Sequence, residues 1–179
     1  EYQANMFASY LLMPKTLVQY AFSQRKLQPG NASPIDVLRV SQWLGVGYSS
    51  LIHHLRLNLR LIGEQRSQEL LSSTPKGLLT HRYGDAVAHN GLLIDEHWRG
   101  RGIDLAVGQT ATLPSACTLS GACTQILETG QGSTTIKAVA PGMGHIEGGS
   151  GWTSFIRVQR SRFEGRSIFR FQEEANDEI

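Results

Sequence analysis

Ser72-Ser73-Thr74-Pro75 is the stretch on which the reading of this chain turns, because the pattern of apolar residues differs on its two sides. Before it, apolar residues recur at helical spacing. After it, glycines become frequent, long helical periods vanish and short alternating runs take over. The expected fold is therefore α+β: a helical segment with a helix-turn-helix-like part over 1–75, a small all-β domain, sandwich or barrel, over 76–172, and an acidic tail over 173–179.

On the amino-terminal side, Ala4, Phe7, Ala8, Leu11 and Leu12 fit an amphipathic helix that Pro14 ends or kinks. A second helix is expected from Lys15 to about Leu27, followed by the turn residues Gln28-Pro29-Gly30-Asn31. Ser33 before Pro34 has the form of an N-cap with proline at the first helical position. That helix should run to Leu44. Gly45-Val46-Gly47 breaks it, and Leu51, Ile52, Leu55, Leu59 and Ile62 mark a partner helix packed through one face. Two helices joined by a glycine turn make a helix-turn-helix shape. A short polar helix is expected over 64–73. On the carboxy-terminal side, candidate strands lie at 86–88, 91–94, 103–107, 110–113, 125–128, 134–140, 152–160 and 167–171.

The chain has 179 residues, 40% of them hydrophobic, enough for one ordinary domain or two small ones. Seventeen Lys plus Arg against fifteen Asp plus Glu leave +2, too little to argue for nucleic acid or an anionic membrane. No apolar run approaches the roughly 20 residues of a membrane-spanning helix, and a cytoplasmic protein without membrane partners is expected. Two cysteines, Cys117 and Cys123, suit free thiols in a reducing compartment, with a single bridge as the alternative.

The opening Glu1-Tyr-Gln-Ala4-Asn5-Met-Phe7-Ala8-Ser-Tyr-Leu11-Leu12-Met13-Pro14 resembles the ExxANxFAxxLLMP signature of the ImmA/IrrE family of gluzincin-like zinc metallo-endopeptidases. In that family an earlier helix carries HExxH. The resemblance implies that Glu1 is the third zinc ligand of an intact protein, and that this chain is the part beginning at that ligand. It is expected to be inactive alone, with no catalytic residue and no cofactor of its own. Zinc accepts a carboxylate as readily as an imidazole, and three protein ligands leave a position for water. Asn5, one turn below Glu1, either orients a ligand or hydrogen-bonds nearby backbone.

The likeness continues through Val40-Ser-Gln-Trp-Leu44-Gly45-Val46-Gly47 to Ile62, where members often read "LAxxFGVSxxALxxRLxxLGLI". Gly47 stands at the serine cap and Arg60 where glycine often ends the helix.

His53, His54, Arg56 and Arg60 are candidate DNA or partner contacts on the polar face of the second helix, with a solvated helix face as the alternative. Asp95-Glu96-His97-Trp98-Arg99 and the pair His145 and Glu147 are expected in loops. Arg157, Arg160, Arg162, Arg166 and Arg170 form a basic stripe that either faces an acidic partner or protects an edge strand.

Two functions follow as expectations. The first is a zinc peptidase that cleaves a helix-turn-helix transcriptional repressor in a stress or mobile-element response, with the β-domain as sensor or substrate selector. The second is a non-catalytic regulatory module that binds DNA or a protein partner.

Overall fold

The computed structural model describes residues 2–84, 87, 91–114, 117–130, 132–149 and 151–160, with the backbone alone for residues 2–6. The fold is α+β, helices first and an all-β part after them, in two compact units, Glu1–His97 and Trp98–Ile179.

The first unit contains α1 (Tyr2–Leu12), α2 (Lys15–Gln24), α3 (Pro34–Leu44), α4 (Tyr48–His53), α5 (Glu64–Leu71), α6 (Pro75–Tyr83) and the short strand β1 (Leu92–Leu93). Local chemistry sets both ends of α3. Ser33 accepts from the Asp36 amide at 3.4 Å and Pro34 opens α3. Gly45, at φ 71°, closes it: Val46 N–H reaches Ser41 O at 2.9 Å and Gly45 N–H reaches Gln42 O at 3.0 Å, the Schellman pattern. The end of α2 repeats it with Lys26 at φ 57° in the glycine place, through Leu27 N–H to Phe22 O and Lys26 N–H to Ser23 O. Val18, Phe22, Val37, Val40, Leu51, Ile52, Leu55 and Leu70 are buried; each large one contributes about 1.5–3 kcal/mol relative to exposure.

The helical unit runs past the boundary expected at 75. Thr74 accepts from Gly77 N–H at 3.1 Å and Pro75 is the first residue of α6, so the residues that look like a linker start another helix. Residues 91–97 are then tied to α2 and α3. Gln42 donates to Gly91 O at 2.8 Å and accepts from Leu93 N–H at 2.9 Å. Trp43 Nε1–H donates to His97 O at 2.9 Å. Arg25 clasps Asp95 with two bonds of 2.8 and 3.0 Å. Asp95 is therefore a structural anchor, and Glu96–Trp98 forms a 3₁₀ turn.

The second unit carries β2 (Ile103–Ala106), β3 (Thr110–Pro114), β4 (Thr118–Ser120), β5 (Thr124–Gly130), β6 (Ser133–Ala138), β7 (Gly142–Glu147) and β8 (Thr153–Gln159). β3, β6 and β5 pair antiparallel in that order. A mixed sheet has the order β2-β8-β7-β4, with β2 parallel to β8 and the other pairs antiparallel. In β8, Ser154, Ile156 and Val158 point inward while Thr153, Phe155 and Arg157 point out, the alternation a half-buried strand requires. Ile103, Leu105, Leu113, Ile136, Ile146 and Trp152 are also buried.

Two expectations about this unit are corrected. His145 and Glu147 lie on β7, not in a loop. Their glycine neighbour Gly144 is buried because a Cβ there would meet Ser120 O at 3.0 Å and Cys123 Sγ at 3.1 Å, so it marks close approach of strands rather than a turn. And β8 is an inner strand, between β2 and β7, so its one arginine, Arg157, does not guard an edge; it pairs with Asp104 on β2 at 2.6 Å. Both cysteines are free thiols; Cys123 is buried, and burial pushes the Cys117 thiol up. The expected strand at 167–171, the tail at 173–179, residues 86 and 88, and Arg162, Arg166 and Arg170 lie outside the described residues. Among the described residues no helix is long and apolar enough to cross a membrane.

Candidate functional site

Tyr2–Leu12 of the opening stretch form α1, which ends before Pro14 as the sequence leads one to expect. α1 stops at Leu12, Met13 turns inward at 2% exposure, and Pro14 precedes α2 and offers its carbonyl to Val18 N–H at 3.0 Å. Phe7, Leu11 and Leu12 are 69%, 67% and 56% exposed, and Ala8 is exposed between them. An apolar side so open on a helix with small residues is a surface suited to another helix.

Beside it lies a groove of about 720 Å³. One wall is α1 with Ala8, Ser9, Leu12 and Met13. The floor is the turn Gly45-Val46-Gly47, and the other wall is α4 and the turn that follows it, with Ser50, His53, His54, Leu57 and Asn58. The end of α1, the turn after α3 and α4 thus meet at one cleft.

The second helix is not a continuous α-helix to Ile62. After His53 it widens into a π-helical turn, His54–Asn58, closed by Leu59 N–H to His54 O at 2.9 Å. Arg60 then takes φ 52°, the left-handed conformation glycine would hold, and Leu61 N–H reaches back to Leu55 O at 2.8 Å.

This turn separates the four residues expected together on a polar face. His53 and Arg60 are exposed. Arg56 is ion-paired with Glu64 of α5. His54 is 1% exposed, which corrects its expected surface place. It falls three residues after Leu51 and one before Leu55, inside the apolar stripe, and that was the signal in the sequence. Its Nε2–H donates to Met13 O at 2.8 Å, and its Nδ1 accepts from the Asn58 amide at 2.8 Å. Desolvation lowers its pKa, with the Met13 carbonyl opposing. On the same helix Tyr48 donates to Leu70 O at 2.9 Å, and burial pushes its phenol up to about 12.

Glu1 lies outside the described residues, as does the side chain of Asn5, whose backbone is in α1. Among the described residues no group of three or more His, Cys, Asp or Glu could hold a metal ion. The described residues do not, by themselves, fit a zinc site.

In the second unit, the outer face of the β2-β8-β7-β4 sheet carries Met143 and Phe155, 61% and 60% exposed, with His145 beside Phe155 at 5.3 Å between ring centroids.

No family model matches the chain, and no curated protein matches it. Among solved structures, the solution structure of Amebosin aligns over 37% of this chain and 96% of its own, at 11% identity and a TM-score of 0.23, an overlap too poor to bear on fold or function.

Proposed function

We propose that this chain is the carboxy-terminal part of an ImmA/IrrE-like zinc metallo-endopeptidase that cleaves a helix-turn-helix repressor, with Glu1 as the third metal ligand and the β unit as sensor or substrate selector. The observation that carries the reading is the state of α1. Its sequence keeps every named position of the ExxANxFAxxLLMP signature, and the helix bearing it leaves Phe7, Ala8 and Leu11 open, as a ligand-bearing helix must if it packs on an HExxH helix. Zinc held by HExxH and Glu1 would supply an activated water for peptide hydrolysis. The chain's own described residues contribute position: Pro14, the buried Met13 and the groove fix where α1 runs.

The reading is tested on the intact protein. Incubated with a helix-turn-helix repressor, it is expected to cut one peptide bond, and the cut to vanish with a chelator or with Glu1→Gln. Cleavage unaffected by both changes, or an intact sequence without HExxH ahead of Glu1, overturns it.

A second reading is a non-catalytic module that binds a protein through the β unit, favoured by the exposed Met143 and Phe155 on one sheet face. DNA contact has less support, since Arg56 is engaged by Glu64 and His54 is buried, leaving His53 and Arg60 of the four residues. Salt-sensitive binding of duplex DNA by this chain would revive it.

A further inference from the structure

The last carbonyls of a helix have no partner inside it. At the end of α1 one of them is taken by a side chain far along the sequence: Met13 O accepts from His54 Nε2–H at 2.8 Å. Asn58 then donates from its side-chain amide to His54 Nδ1 at 2.8 Å and accepts at its own carbonyl from the Tyr10 hydroxyl at 3.3 Å. Tyr10 also stands edge-on to the His54 ring, 5.3 Å between centroids and 77° between planes. A closed circuit results, Met13 to His54 to Asn58 to Tyr10, leaving from the last turn of α1 and returning to it. Asn58 follows His54 by four residues within the π-helical turn, the spacing that sets two side chains beside each other on a helix.

Only one form of the imidazole satisfies both bonds, the neutral ring with its proton on Nε2. A proton added at Nδ1 would face the Asn58 N–H, donor against donor. Among the described residues, the titratable and charged neighbours are Tyr10 from α1, His53 preceding it on α4, and Arg56 on the same turn, which Glu64 of α5 holds.

We propose that His54 is a positioning residue: as a neutral imidazole it pins the end of α1 to the helix-turn-helix pair, fixing the direction in which α1 presents its amino-terminal end, and its protonation releases the pin. The pin stands on the geometry given; its consequence for zinc rests on the reading of Glu1 above.

The test uses the 179-residue chain and three substitutions. His54→Leu keeps apolar volume and removes both bonds, His54→Gln can donate to Met13 O and accept from Asn58, and Asn58→Ala removes one bond at a part-buried site. Hydrogen exchange of the amides of residues 7–12 is expected to be roughly tenfold faster in His54→Leu and near wild type in His54→Gln. Relative to the intrinsic exchange rate, which itself falls as pH falls, protection of these amides should drop in wild type on acidification and stay unchanged in His54→Gln. Asn58→Ala, which keeps the core filled, should give an intermediate rate and let His54 titrate closer to its ordinary value by NMR. Equal rates in wild type and His54→Leu, or His54→Gln behaving like His54→Leu, overturn the pin. If His54→Leu does not fold, Asn58→Ala decides: an unchanged rate overturns the pin. In the intact protein, zinc retention should follow the same order. Exchange in the expected order with no zinc bound sinks the zinc reading and leaves the pin. Zinc lost on Glu1→Gln but indifferent to every His54 form leaves the zinc reading and sinks the positioning role.

Discussion

Replacing Arg60 by glycine should stabilise the helical unit. Arg60 sits at φ 52°, just after the π-helical turn, and its side chain is exposed. Left-handed backbone costs a residue with a Cβ about 1–2 kcal/mol, whereas glycine's greater freedom in the unfolded chain costs about 0.5–1 kcal/mol. The difference leaves a gain of about 0–1.5 kcal/mol, or about 3–6 °C in Tm for a unit of this size at the middle of that range. Lys26, at φ 57° in the Schellman end of α2, is an internal control and should respond to Lys26→Gly by a similar amount. Urea unfolding followed at 222 nm reads the helices rather than the strands, and amide exchange at Leu59 and Leu61 reads the turn itself. A loss of stability in Arg60→Gly alongside a gain in Lys26→Gly would refute the reasoning, because it would mean that the helix runs on through residue 60 instead of closing there.

Other perturbations bear on separate parts of the structure. Asp95→Asn should cost about 3 kcal/mol, since it strands the Arg25 guanidinium, 6% exposed, without its carboxylate; equilibrium unfolding checks it, and a cost below 1 kcal/mol counts against the anchor. Gly148→Ala should destabilise the β unit by about 1–3 kcal/mol, because the added methyl would overlap the Trp152 indole; loss of Trp fluorescence in denaturant measures it. The lowered pKa of His54 makes stability depend on pH: the unfolded chain takes up a proton as pH falls through its ordinary value of 6.5, while the folded chain resists. Stability of the helical unit should therefore be full above that value and fall below it until His54 itself protonates in the fold, and His54→Gln should remove that component from the pH profile.

The helices were legible because their ends are written in residues with one local use. Ser33-Pro34, Gly45 and Pro14 each act within a turn of where they stand, and all three do what their chemistry suggests. Strands β2, β3, β6 and β8 were legible from β-branched residues and alternation. β4 and β7 were not, since β7 reads Gly-Met-Gly-His-Ile-Glu, and the reason for Gly144, a neighbouring carbonyl and thiol, lies on other strands. The attachment of residues 91–97 to the helices was illegible for a similar reason: Gln42, Trp43 and Arg25 reach them through side-chain bonds that no local pattern announces. At the candidate site, the motif on α1 was plain from sequence. The circuit through His54 was not, because its bonds to Met13 and from Tyr10 to Asn58 join residues more than forty apart in the chain.

The central claim concerns Glu1, and metal content tests it most directly. The intact protein, purified without added metal and then given one equivalent of zinc, should retain close to one zinc per chain after dialysis. Glu1→Gln should retain little while keeping its helical spectrum. Equal zinc in both forms, or none in either, would contradict the account.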